Sequence, residues 1–137
     1  MRTALDTNVL SLFWSGEASA ATIAGQLSKA RSAGGLVVSA PVFAELSAIP
    51  TANAQRVEKL LGEMSIAVDF DLGEDVWRFA ATSFAAYAAR RRRSGGGSPK
   101  RLLADFIIAS HALLSADRLM TRDADRYYQD FPSLRLL

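Results

Sequence analysis

The chain has no cysteine. That excludes disulfides and thiolate-held metals. It has a single histidine, His111, which argues against histidine-based acid–base catalysis. No apolar run approaches the roughly 20 residues that a membrane helix needs. The N-terminus enters a strand-like TAL with no hydrophobic leader before it. No segment repeats. These absences leave a soluble, cytoplasmic protein as the expectation. The 137 residues, half of them hydrophobic, suit one domain (1–137) with its own core.

The small net charge of +2 hides an asymmetry. Arg90, Arg91, Arg92, Arg93, Lys100 and Arg101 hold six of the 16 basic residues within twelve positions. Without them, ten basic residues face 14 acidic ones. The expectation is an acidic body carrying one basic loop at 90–101. Such a patch favours a polyanion through phosphate contacts and counterion release; the plain alternative is a solvated surface loop.

Strand-like and helical patterns alternate along the chain. Short apolar runs predict strands at 3–5, 36–39, 66–70 and 119–121, with a fifth at 134–137. Helices are predicted from Thr7 or Asn8, and over 18–33, 42–48, 53–64 and 74–89. Pro41 suits a first helical turn, and Glu74 and Asp75 complement a helix dipole. SGGGS at 94–98 is a flexible break. Pro99 is expected to open a last long helix, ending near Ser115. Strands alternating with helices imply a mostly parallel sheet covered on both faces. In such sheets ligands bind outside the carboxyl ends of the strands.

Asp6, Glu45, Asp105 and Asp123 lie within or at the end of apolar segments. An unpaired buried carboxylate is costly, so these positions imply either buried ion pairs or a shared cation. Asp6 and Asp123 follow strands and therefore lie at the carboxyl edge. Glu45 is one turn into the helix that leaves the second strand. Asp105 is expected in the second turn of the helix opened by Pro99; that helix must finish at the opposite edge, so its beginning, with Asp105, lies near the carboxyl edge. Nearby carboxylates repel and must take up protons or cations. Oxygen-only donors suit Mg²⁺ or Mn²⁺, and such a site fits phosphodiester hydrolysis. Each acid also has a plainer role. Asp6 could cap a helix, Glu45 could pair with a buried arginine, and Asp123 could be a turn acid, with Asp125 as its competitor.

LDTNVL at 5–10, PVFAEL at 41–46, ADFIIASHAL at 104–113 and LMTRDADRYYQDFPSLRLL at 119–137 together resemble the PIN-domain ribonucleases, specifically the VapC-type toxins of prokaryotic toxin–antitoxin pairs. The pieces occur in family order across essentially the whole chain. The resemblance implies an α/β fold, a PIN-like three-layer α/β/α sandwich around a four- to five-stranded, mostly parallel sheet. It makes Asp6, Glu45, Asp105 and Asp123 the metal-binding acids, with Thr121 as a hydroxyl near the metal and Asn8 as a polar position after the first acid. It implies Mg²⁺ or Mn²⁺, endonucleolytic cleavage of RNA and inhibition of translation. It also implies a homodimer, or a toxin–antitoxin hetero-oligomer with a cognate antitoxin. The arginine run and the SGGGS break lie outside the family motifs.

His111 stands about 120° around the helix from Asp105, which favours a structural role. Phe13, Trp14 and Trp77 are expected in the core or at a subunit contact. A phosphatase of the haloacid dehalogenase type requires an aspartate where this chain has Asn8. A response-regulator receiver requires an early acid pair that is missing. The remaining alternative is a non-catalytic nucleic-acid-binding module that uses the basic loop.

Overall fold

The computed structural model describes residues 1–96 and 101–137. Four strands form one parallel sheet: β1 (Thr3–Leu5), β2 (Leu36–Ser39), β3 (Ile66–Asp69) and β4 (Arg118–Met120), in the order β3-β2-β1-β4. Every residue of β1 and β2 is buried. Successive side chains of a strand point to opposite faces, so both faces of these strands are covered. β3, at one edge, buries only Ile66 fully.

Helices cover the sheet. Between β1 and β2 run α1 (Thr7–Ser15) and α2 (Ala20–Ala33). Gly16 ends α1 in the left-handed conformation, at φ 70°, which glycine adopts without strain. Between β2 and β3 run α3 (Ala40–Ser47) and α4 (Ala54–Glu63), the latter capped by the Asn53 side chain on the Arg56 amide at 2.9 Å. Between β3 and β4 run α5 (Glu74–Arg93) and α6 (Leu103–Ser115). One core joins Leu5, Leu10, Val38, Leu46, Leu61, Phe106 and Tyr127. The expected α/β architecture with a central parallel sheet is the one observed.

Four details depart from the sequence reading. α5 continues to Arg93, so Arg90–Arg93 form its last helical turn rather than a loop. Arginine is a good helix former, and cations at a helix C-terminus favour the dipole. α6 begins at Leu103; Pro99, expected to open it, and Lys100 lie outside the described residues. The fifth strand is reduced to one bridge, Leu119 with Leu136. A single helical turn, α7 (Asp125–Tyr128), follows β4, where no helix was expected.

The strand order positions the site. β1, β2 and β3 step one way across the sheet, and β4 then returns to the other side of β1. The carboxyl ends of β1 and β4 therefore flank the point where the winding reverses, the usual crevice for ligands in such sheets.

Candidate active site

Asp6 leaves β1 into this crevice. Its backbone amide donates to Met120 O at 2.9 Å, which ties the ends of β1 and β4 together. Its side chain is 2 % exposed and accepts three hydrogen bonds. Oδ1 accepts from the Thr7 amide at 2.8 Å, and this contact caps α1. Oδ2 accepts from Thr121 Oγ1 at 2.9 Å and from the Tyr127 hydroxyl at 2.8 Å. Capping and a place in the site therefore coexist in one side chain. Burial first, and then the charge of Asp6, push the Tyr127 phenol far above its ordinary range. Tyr127 thus keeps its proton and acts as a donor.

Thr121 is a junction. While donating to Asp6, its hydroxyl accepts from the Asp123 amide at 3.1 Å. Asn8 steadies the same loop: its Oδ1 accepts from the Arg122 amide at 3.0 Å, and its Nδ2 reaches Thr121 Oγ1 at 3.5 Å. In this structure Asn8, the polar position after the first acid, orients the β4–α7 connection.

Asp105 lies in the first turn of α6 and its side chain is 13 % exposed. Burial pushes its pKa up; Asp6 adds to the effect, while Arg126 and Arg101 oppose it. Asp123 is more open, with 46 % of its side chain exposed. Arg126, on α7, joins the two acids. Its Nη1 stands 3.4 Å from Asp105 Oδ1, and its Nη2 stands 3.1 Å from Asp123 Oδ2. Arg126 stays charged: burial alone would lower its pKa, but Asp105 and the other nearby acidic groups raise it. Asp105, Asp123, Asp125, Arg126, Arg101 and Leu102 line an open cavity of about 500 Å³.

Glu45 is half-buried on α3 and accepts from Thr7 Oγ1 at 2.6 Å. Its partner is thus a hydroxyl and not the buried arginine of the alternative reading. Asp6 and Glu45 are linked through Thr7, which bonds to both. Asp105 and Asp123 are linked through Arg126.

Among the described residues, no three His, Asp or Glu side chains converge closely enough to hold an ion. The donor chemistry nonetheless fits a hard divalent cation, since it consists of carboxylate and hydroxyl oxygens. A cation of another kind, the Arg126 guanidinium, already stands between two of the carboxylates.

The basic patch is partly neutralised within the fold. Asp130, with 2 % of its side chain exposed, forms an ion pair with Arg90 and lies 3.6 Å from Arg101 Nη1. Arg101 also donates to Asp125 O at 3.2 Å, and its amide donates to the Tyr87 hydroxyl at 3.0 Å. Arg91 Nη2 donates to Gly96 O at 2.5 Å. Arg92 and Arg93 are exposed. Two of the six basic residues, Arg90 on α5 and Arg101 before α6, are therefore tied to the segment around and after α7.

Sequence reasoning missed Thr7, Arg126, Tyr127 and Asp130. All four stand inside the motifs, Thr7 in LDTNVL and the others in LMTRDADRYYQDFPSLRLL, but nothing local marked their partners. His111, meanwhile, is buried away from the cavity; its Nε2–H donates to Asp69 Oδ2 at 2.8 Å. Trp77 is exposed on α5 and so does not belong to the core, while Phe13 and Trp14 pack against it.

Residues 3–132 match the PIN domain family. No curated protein sequence matches the chain. Among solved structures, VapBC2 from Rickettsia felis, bound to a DNA fragment from its promoter, superimposes with a TM-score of 0.67 at 20 % identity, covering 100 % of this chain and 98 % of that one. VapBC-1 from nontypeable Haemophilus influenzae superimposes with a TM-score of 0.65 at 20 % identity, covering 100 % and 97 %. The identity is low, but the shared fold spans each chain almost entirely. With a family match over nearly its full length and an acid-lined crevice at the β1–β4 junction, the chain belongs to the PIN-domain family.

Proposed function

We propose that this PIN-domain protein is a Mg²⁺- or Mn²⁺-dependent endoribonuclease, the toxin of a type II toxin–antitoxin pair, and that it cleaves RNA to inhibit translation. The observation that carries this reading is the set of acids at the β1–β4 crevice: Asp6 fixed by three donors, with Asp105 and Asp123 lining the cavity beside it. Asp6, Asp105 and Asp123 would hold the ion, with Glu45 on the adjoining side. When bound, the ion supplies an activated water and stabilises charge on the phosphate.

The chain's own residues do the rest. Tyr127 and Thr121 donate to one oxygen of Asp6 and Thr7 to the other, so the carboxylate cannot rotate. Preorganised ligands of this kind lose little on ordering. Burial raises the Asp105 pKa, so a cation beside this acid favours its charged form. Arg92 and Arg93 extend from the end of α5 as phosphate contacts, and Arg101 lines the cavity itself.

The two superimposed structures are VapBC complexes. They support a cognate antitoxin for this chain, within a homodimer or a toxin–antitoxin hetero-oligomer. No helix among the described residues is long and apolar enough to cross a membrane, and we place the protein in the cytoplasm.

Cleavage of RNA in Mg²⁺ or Mn²⁺ tests the reading, with Asp105→Asn beside the wild type. The expected result is cleavage by the wild type and none by the variant. Equal cleavage by both would remove the acids from the mechanism. Binding of RNA without cleavage by either would favour a non-catalytic binding module built on the exposed arginines.

A further inference from the structure

Arg126 is the least expected member of the cavity. It is the cation on the one-turn helix, and its two terminal nitrogens divide between two acids from different elements, Asp105 on α6 and Asp123 after β4. Oxygens sharing one Mg²⁺ lie ~2.1 Å from the ion. Across the guanidinium fork, each oxygen instead stands 3.1 or 3.4 Å from a separate nitrogen. A fork and an ion therefore hold the two acids at different spacings, and both cannot be accommodated together. The Arg126 side chain is 38 % exposed, so it can leave toward solvent without unpacking the core.

We infer that the Arg126 guanidinium is a built-in counter-cation seated between Asp105 and Asp123, which a divalent ion displaces when it binds. This inference rests on the metal-dependent reading above. The arginine keeps the acids neutralised and apart in the metal-free protein, so its removal strengthens metal binding. An arginine that merely braces the acids in their metal-binding positions would have the opposite effect: removing it would weaken binding.

The test is calorimetric titration of the full chain with Mn²⁺ alone, near neutral pH and without RNA. Arg126→Ala and Arg126→Gln are expected to bind Mn²⁺ about tenfold more tightly than the wild type, the scale of one or two partly exposed ion pairs. Arg122→Ala removes a charge of the same sign from the exposed part of the same loop and is expected to stay within about twofold of the wild type, because exposed charges are screened. Thermal melts of each metal-free variant confirm folding, and the glutamine variant serves where the alanine variant is unstable. In parallel, Mg²⁺ titration followed by NMR is expected to move the Arg126 Nε–H resonance with the same half-saturation as the Asp105 and Asp123 amides. Unchanged or weaker Mn²⁺ binding in the Arg126 variants overturns the inference, as does equal tightening in Arg122→Ala or an Arg126 resonance that ignores Mg²⁺. If neither the wild type nor the variants bind Mn²⁺ at millimolar concentration, the metal-dependent reading itself fails and this inference falls with it.

Discussion

Tyr127→Phe removes one hydroxyl and leaves the ring. In the folded protein that hydroxyl is buried and donates to Asp6 Oδ2 at 2.8 Å. Tyr127 is fully buried and Asp6 nearly so, so water does not replace the lost donor readily. A hydrogen bond to a charged group contributes about 1.5–3 kcal/mol. Asp6 retains the Thr7 amide and the Thr121 hydroxyl, which places the cost near the middle of that range, about 2 kcal/mol. For a chain of this size the loss corresponds to a fall in melting temperature of roughly 6–10 °C. Urea unfolding in a chelator, which keeps metal out of the comparison, measures the free energy directly. The same substitution made in an Asp6→Asn background closes a double-mutant cycle. There the acceptor is neutral, and the hydroxyl is expected to contribute about 1 kcal/mol. A loss below about 0.5 kcal/mol in the wild-type background, or an equal loss in both, would refute the assignment of Tyr127 as a donor to a charged Asp6.

Other consequences follow from the same geometry. An acid whose folded pKa lies above its unfolded value costs stability once the pH rises through the unfolded value. Asp105 is such an acid, so metal-free Asp105→Asn is expected to be more stable than the wild type at pH 7, with the advantage vanishing below about pH 4; denaturant unfolding against pH reads this. Asp69 has the opposite sign. Burial alone would raise its pKa, but the hydrogen bond from His111 and the charge of Arg2 hold it below the usual carboxylate range. Its contribution is therefore full above about pH 4 and lost as the pH falls through the folded value, and the stability gap between wild type and Asp69→Asn should close in acid. Asp130→Asn weakens the hold on Arg90 and Arg101; because both arginines reach solvent, the expected cost is about 1–3 kcal/mol, measured by urea unfolding. Arg92→Ala combined with Arg93→Ala should lower the salt dependence of single-stranded RNA binding by about 1.4 in log–log slope if each contacts one phosphate; an unchanged slope removes the end of α5 from the RNA path.

The parallel sheet was legible because its strands are short apolar runs set between helical patterns, and the strand-end rule then located Asp6 and Asp123. Asp105 stood out because Leu102, Leu103, Phe106 and Ile107 surround it in the sequence. The arrangement among the acids was not legible. Arg126 and Tyr127 stand in a polar stretch, DADRYYQD, that has too few turns to show helical periodicity. Asp130 looked like one more surface acid because its partners, Arg90 and Arg101, lie far away along the chain. The arginines looked like a loop because a glycine run follows them, although helix propensity and dipole both favour carrying α5 through Arg93. For Arg126, Tyr127 and Asp130 the deciding contacts, with Asp105, Asp6 and Arg90, join segments distant in sequence, and local patterns carry no record of such contacts.

α7 gives adjacent residues opposite tasks. Successive positions on a helix point about 100° apart, so the turn that drives Tyr127 into Asp6 leaves Arg126 at the surface. Anchored by Tyr127, the backbone of the turn has no need to move when Arg126 changes partner; only side-chain torsions rotate. Such rotations take picoseconds to nanoseconds, whereas loop or domain opening takes up to milliseconds. Loading of the crevice would then show no protein-imposed lag, and its pace would be set by how slowly the incoming ion sheds its own water, which Mg²⁺ does reluctantly.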